Sequence, residues 1–154
     1  MRSAGIKELK RLDLEAKERK FPDVPYLVAS DFSDKTANGL TKCVIKFLHL
    51  HGWQAERINT TGRPLDRRQI VSDCMGFKKQ IGSLTWIPGT STRGSADISS
   101  TIQGRSVKVE IKVGRDRMRP DQWKYKEAVE KAGGIYIVVT SFDQFYAWYM
   151  ENYK

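Results

Sequence analysis

The sequence predicts an α/β fold in which helices flank a mixed central sheet. Three observations carry that expectation. Residues 36–51 repeat apolar side chains at helical spacing, and residues 94–114 alternate apolar and polar side chains with a period of two. Residues 135–140 (IYIVVT) are an unbroken apolar run directly after a helical segment. The order along the chain is then helix, three strands, helix, strand, helix, with the hairpin of residues 94–114 at the centre of the sheet.

Residues 5–20 carry Ile6, Leu9 and Leu12 at helical spacing among many charges, and Pro22 and Pro25 follow. This reads as a solvated helix or charged arm spanning residues 1–25, ahead of a single domain over residues 26–154. In residues 36–51 the stripe Leu40, Cys43, Val44, Phe47, Leu48, His51 follows the i, i+3, i+4, i+7 pattern, and Gly52 stops it. Trp53 to Ile58 suits a strand. Residues 59–80 are polar, basic and turn-rich, a long loop or inserted excursion, and Leu84, Trp86 and Ile87 precede a turn at Pro88-Gly89.

Residues 94–114 read GSADISSTIQGRSVKVEIKVG. Val107, Val109, Ile111 and Val113 alternate with Lys108, Glu110 and Lys112, so one strand face is apolar and the other polar. Ala96, Ile98 and Ile102 alternate in the same way with Asp97, Ser99 and Thr101. Gln103-Gly104 makes a two-residue turn, with glycine supplying a positive φ. If Ile102 pairs with Arg105, Asp97 falls opposite Glu110 with Cβ atoms about 5 Å apart, and Lys112 lies two residues along on the same face. Like charges directly opposite destabilise a sheet, so this pair requires compensation. Two carboxylates at that spacing suit Mg²⁺ or Mn²⁺, and an adjacent ammonium can stabilise a pentavalent phosphate. The pattern points to metal-assisted phosphodiester hydrolysis. Taken alone, Glu-x-Lys on a strand also describes an ordinary solvated face. The hairpin register, the glycine-rich approach and the helix bearing Gln122 set this one apart.

Helix 120–132 opens with Pro120 in its first turn and closes at Gly133-Gly134. Gln122, Tyr125, Val129 and Ala132 share one face, which turns Gln122 inward toward the sheet. The run 135–140 reads as a strand buried on both faces. Ser141-x-x-Gln144 is a capping box for a final helix with Phe142, Phe145, Tyr146 and Tyr149 on one side.

The motif Gly-Ser-Ala-Asp (94–97), then Glu-Ile-Lys (110–112), then the helix with Pro120-Asp121-Gln122 resembles the PD-(D/E)XK nuclease superfamily. Within it the chain is most similar to the VRR-NUC and Holliday-junction-resolvase-like branch, over roughly residues 36–150. The resemblance implies a restriction-endonuclease-like α-β-β-β-α-β core. It also implies metal ligation by Asp97, Glu110 and the backbone carbonyl of Ile111, with Lys112 as catalytic lysine and Gln122 supporting the site. Ala96 stands where the family name has proline. The first helix lacks the glutamate that some members add to the metal site, which leaves one ion or two open. Phage or mobile-element recombination is the setting the likeness suggests.

The chain has 154 residues, with 27 Lys and Arg against 18 Asp and Glu, a formal charge of +9. That excess favours a polyanionic partner, nucleic acid before acidic membrane. No apolar run reaches the roughly 20 residues of a membrane span, and no signal-peptide pattern opens the chain, so the expected location is cytoplasmic. Cys43 and Cys74 fit no metal-ligand spacing and read as free thiols. His49 and His51, the only histidines, flank a helix end and read as packed or dipole-paired rather than metal-bound. Arg63, Arg67, Arg68, Lys78 and Lys79, with Trp86, form a basic region that reads as phosphate-gripping ahead of a merely solvated loop. Arg115, Arg117 and Arg119 follow the Glu-x-Lys strand and are placed for phosphate contact, while Lys108 shares the face of Glu110 and reads equally as a substrate contact or a solvated lysine.

The expectation is a Mg²⁺- or Mn²⁺-dependent endonuclease acting on DNA, with RNA left open. The absence of a sequence-reading module favours branched, junction or flap structures. Paired cuts would favour a homodimer through Phe145, Trp148 and Tyr149 of the last helix. A nucleic-acid-binding protein that keeps the fold without cleaving, and a sequence-specific restriction-type enzyme, are the alternatives.

Overall fold

The computed structural model describes residues 3–59, 62–89 and 92–153. Along the chain run α1 (Ala4–Lys20), α2 (Ala37–Leu50), β1 (Gln54–Arg57), β2 (Arg63–Asp66), β3 (Gln69–Ser72), β4 (Lys78–Ile81) and β5 (Leu84–Ile87). Then follow β6 (Ile98–Ile102), β7 (Arg105–Ile111), α3 (Pro120–Lys131), β8 (Ile135–Val139) and α4 (Phe142–Tyr153). Two compact units result: Met1–Ile58 with Gly94–Lys154, and Asn59–Arg93. The first boundary therefore falls at the excursion rather than near residue 25.

The first unit is α/β, with a mixed four-stranded sheet in the order β1-β6-β7-β8. The β6–β7 hairpin is central and antiparallel, and β8 joins β7 in parallel after the α3 crossover. Ile102 pairs with Arg105 and Ile98 with Val109, the register expected from the Gln103-Gly104 turn. Ile98, Ile102, Val107, Val109 and Ile111 are buried on one face with α2 and α4. Because β8 is an edge strand, Ile135, Ile137 and Val138 are only half-buried. The continuous apolar run had suggested burial on both faces.

The Thr36 side chain caps α2 by accepting from the Gly39 amide, and Gly52 at φ +79 ends the turn that follows it. In its stripe Leu40, Cys43, Val44, Phe47 and Leu48 are buried as the spacing requires, whereas His51, just past the helix end, is exposed. The Phe47 ring sits edge-on to Phe142, Phe145, Tyr146 and Tyr149, with centroids 5.0 to 5.9 Å away. Phe145 and Tyr149 are thus core residues, and Tyr149 Oη accepts from Trp53 Nε1 at 2.7 Å. They are not available as the dimer surface that their apparent excess suggested.

The first helix is no solvated arm. Ile6 and Leu9 join the core, and Asp13, one turn on, is fully buried. Lys46 and Lys17 reach Asp13 at 2.9 and 3.0 Å, and the Ser30 amide donates to it at 2.8 Å. Asp143 on α4 ties down the other end, accepting from Ser3 Oγ and the Gly5 amide at 2.7 Å each.

In the second unit β2 pairs with β5 and β3 with β4, both antiparallel. The two ladders keep one register, from Arg63 opposite Ile87 to Ser72 opposite Lys78. The Arg67 amide to the Ser83 carbonyl (3.1 Å) and the Asp73 amide to the Phe77 carbonyl (3.0 Å) carry it across the interruption and into the turn. The polar excursion is therefore one long hairpin. Its interruption lies at Gly82, where φ is +83 and a Cβ would stand 2.1 Å from the Arg67 carbonyl oxygen.

Candidate active site

Asp97 is held by the two strands that flank β6. Its carbonyl accepts from the Ile58 amide at 2.8 Å, extending the β1 ladder by one step. Its carboxylate Oδ2 accepts from the Ile111 amide at 2.9 Å. One step beyond the Ile98–Val109 pair, the register sets Asp97 against Glu110, and both line one cavity.

The polar face of β7 is itself covered, since α3 lies over β8 on that side. Glu110 is only 2% exposed and Lys112 7%. Every Glu110 oxygen has a partner. Lys112 Nζ lies 2.9 Å from Oε1, Gln122 Nε2 also donates to Oε1, and Tyr136 Oη donates to Oε2 at 3.2 Å. Lys112 Nζ further donates to Asp116 Oδ2 at 3.2 Å and Gln122 Oε1 at 3.1 Å. These donors compensate Glu110, as the Ile111 amide does Asp97.

Gln122 connects the helix end to the strand. It is the third residue of α3, and its Oε1 accepts from the Arg119 amide at 2.9 Å, satisfying a donor at the helix start. The same oxygen takes the lysine ammonium while the amide nitrogen donates to Glu110. The amide supplies both the donor and the acceptor that these contacts need, which a carboxylate at the same position would not. Gly94 lets this helix end approach the hairpin: at φ +81, a Cβ would stand 2.4 Å from the Asp121 carbonyl oxygen.

Burial is the largest influence on Glu110 and holds its pKa above the ordinary value. The Lys112 hydrogen bond opposes that rise and the Asp97 charge adds to it. For Lys112 burial acts downward, but the Glu110 and Asp116 carboxylates outweigh it and raise the pKa. Tyr136 is raised by burial and then by Glu110, so its hydroxyl stays a donor.

The cavity is about 240 Å³ and brings Asp97, Glu110, Ile111, Lys112, Gln122 and Arg119 together. It also holds Arg57, Thr41 and Asp116, which the sequence reading did not single out. Arg57 Nη1 is held by Asn38 Oδ1 at 2.7 Å. Asp116 carries a sequence signal, four residues beyond Lys112 just after the strand. Tyr136 does not, since it is embedded in an apolar run. Arg115 and Arg117 are exposed on the loop before α3, and Lys108 donates to Ser99 Oγ at 2.6 Å. Arg63, Arg67 and Arg68 belong to the second unit, where Arg68 grips Asp66 through two hydrogen bonds of 2.8 and 2.6 Å. Both histidines are exposed, and each ring is held by a backbone carbonyl: His49 Nε2 lies 2.8 Å from that of Ala55 and His51 Nδ1 2.9 Å from that of Phe47.

Asp97 and Glu110 present hard oxygens to one cavity, a donor chemistry that fits Mg²⁺ or Mn²⁺ with waters and substrate oxygens completing the shell. Among the described residues there is no group of three or more His, Cys, Asp and Glu side chains able to hold a metal. No helix among them is long and apolar enough to cross a membrane. In comparison with known proteins, the chain matches no family model and no curated sequence.

Proposed function

We propose that this protein is a divalent-metal-dependent endonuclease that hydrolyses DNA phosphodiester bonds and selects branched, junction or flap structures. The observation that carries this reading is the buried Glu110–Lys112–Gln122 network beside Asp97 at one cavity, in a chain of charge +9. Burying a lysine among carboxylates is costly, and perturbed groups gathered in a cleft mark sites more often than bare scaffolding.

Asp97, Glu110 and the Ile111 carbonyl would hold Mg²⁺ or Mn²⁺. When bound, the metal supplies Lewis acidity and a hydroxide nucleophile near neutral pH. Lys112 donates to a phosphate oxygen as charge builds on it in the transition state. Gln122 keeps Lys112 and Glu110 in register with each other. Arg57, Arg119, Arg115, Arg117 and Lys108 contact phosphates around the cavity, and Arg63, Arg67 and Arg68 supply further cations from the second unit. A cytoplasmic homodimer would give the two symmetric cuts that resolve a junction.

The test is cleavage of four-way, flap, splayed and linear DNA with Mg²⁺ or EDTA, run beside Lys112→Ala. The expected result is EDTA-sensitive cutting of branched DNA that Lys112→Ala loses by orders of magnitude while still binding. Binding without cutting by the wild type assigns the protein to non-catalytic nucleic-acid binding. Discrete fragments from linear duplex assign it to sequence-specific cleavage.

A further inference from the structure

The Asn59–Arg93 unit is a two-stranded ribbon whose strand side chains are exposed throughout, apart from a half-buried Leu65. An isolated two-stranded hairpin is marginal in water, yet this one displays Ile70, Met75, Phe77 and Trp86 at 61 to 77% exposure. Its charge says what suits it. Arg63, Arg67, Arg68, Lys78, Lys79 and Arg93 stand against Asp66 and Asp73 alone, a net +4. Both carboxylates are occupied within the unit: Asp66 by Arg68, and Asp73 by the amides of its own turn. The outward field is therefore positive. The same hairpin of a second copy would be repelled by it, whereas a polyanion is drawn to it.

The tip is a turn closed by its own hydrogen bonds. Asp73 Oδ1 accepts from the Met75 and Phe77 amides at 2.9 Å each, the Gly76 amide donates to the Asp73 carbonyl at 3.0 Å, and Gly76 has φ +84. That turn holds two large apolar side chains in the open, with Lys78 and Lys79 directly behind them. Cations that track a backbone, together with an apolar tip, are the parts with which proteins pry apart or stack on bases. A two-stranded ribbon also fits the major groove.

The geometry points to the hairpin as a nucleic-acid wedge: Lys78 and Lys79 hold phosphates while Phe77, supported by Met75, stacks on an unpaired base where duplex gives way to single strand. This rests on the nucleic-acid reading of the site and supplies the element that would select branched DNA. It assigns the apolar tip to unstacked bases, which linear duplex does not offer.

Anisotropy titrations in EDTA separate this binding from hydrolysis, using full-length wild type, Phe77→Ala and Lys78→Ala/Lys79→Ala on splayed and linear DNA. Phe77→Ala should weaken splayed-DNA binding about tenfold, the scale of one base–aromatic stack, and leave linear duplex within twofold. The double lysine variant should weaken both and lower the salt slope by about 2. Circular dichroism checks that the variants fold. Wild-type binding with no change in either variant overturns the wedge and leaves the site reading standing. No binding by wild type overturns both. A wild-type dimer in light scattering that Phe77→Ala turns into a monomer, with DNA affinity unchanged, gives the tip to a second copy and overturns the wedge.

Discussion

Lys112 Nζ lies 2.9 Å from Glu110 Oε1, and the two side chains are shut away from solvent together. Neither charge is tolerable there alone. A buried pair broken by removing one partner loses about 3 to 5 kcal/mol, because the other charge is left uncompensated. Lys112 also keeps Asp116 and Gln122, so the network distributes the charge rather than resting on one bond.

Removing the cation should make stability depend on pH. The Glu110 pKa is already raised in the folded state, so its contribution is present below the unfolded pKa and is lost as pH rises through the folded one. Lys112→Ala raises it further. The expected defect is about 3 kcal/mol at pH 8 and shrinks as pH falls through the raised Glu110 pKa and the carboxyl takes up a proton. Thermal denaturation at pH 8 and at pH 5 measures it, and a defect that is the same at both would mean that Glu110 is not the group left behind.

Gln122 should not tolerate its closest isostere. Gln122→Glu replaces the donor to Glu110 with a fourth carboxylate at the cavity, costing about 1 to 3 kcal/mol near neutral pH, with the cost shrinking on acidification. Gln122→Ala should lose less at pH 8, since it removes the bonds without adding charge. Urea unfolding of both variants ranks them, and a Gln122→Glu protein as stable as wild type would reverse the assigned amide orientation.

Metal should stabilise the protein by linkage. At a hundredfold excess over Kd, Mg²⁺ or Mn²⁺ adds about 2.7 kcal/mol, and Asp97→Asn should remove most of that gain. Protonated Glu110 cannot ligate, so metal affinity should rise with pH through its raised pKa. Thermal shifts with Mn²⁺ at pH 5, 6, 7 and 8 test both. An Asp97→Asn protein that gains as much as wild type would place the metal elsewhere.

Asp13→Asn should destabilise the fold by about 3 kcal/mol at pH 7, although the residue lies in the segment that sequence alone assigns to an arm. Burial pushes its pKa up, but the Ser30 amide, Lys46 and Lys17 prevail and hold it well below the carboxylate range. Its contribution is therefore present above the unfolded pKa and lost as pH falls toward the folded one. The gap between variant and wild type should persist from pH 8 to pH 5 and narrow only in stronger acid, as read by denaturant unfolding.

What the chain declares by itself is local. The period of two in residues 96–113 and the Gln103-Gly104 turn set the hairpin register, and with it the alignment of Asp97 with Glu110. Helical spacing marks the stripe from Leu40 to Leu48, and position in the first turn of α3 turns Gln122 inward. These follow from the backbone periods of one element and the chemistry of one turn.

Tertiary structure decided the rest. The burial of α1 comes with Ile6 and Leu9 packing on the core, with Asp13 meeting Lys46 and with Ser3 meeting Asp143, pairings that no pattern within one segment specifies. Tyr136 joins Glu110 because β8 lies parallel beside β7, and Arg57 reaches the cavity because β1 pairs with β6. The polar stretch after Ile58 became one long hairpin through cross-strand bonds between distant residues. Local periodicity states which face of an element is apolar. Which other element covers that face is settled only when the whole chain competes for burial, and that competition brings a strand's polar face, a helix end and an edge tyrosine around one carboxylate.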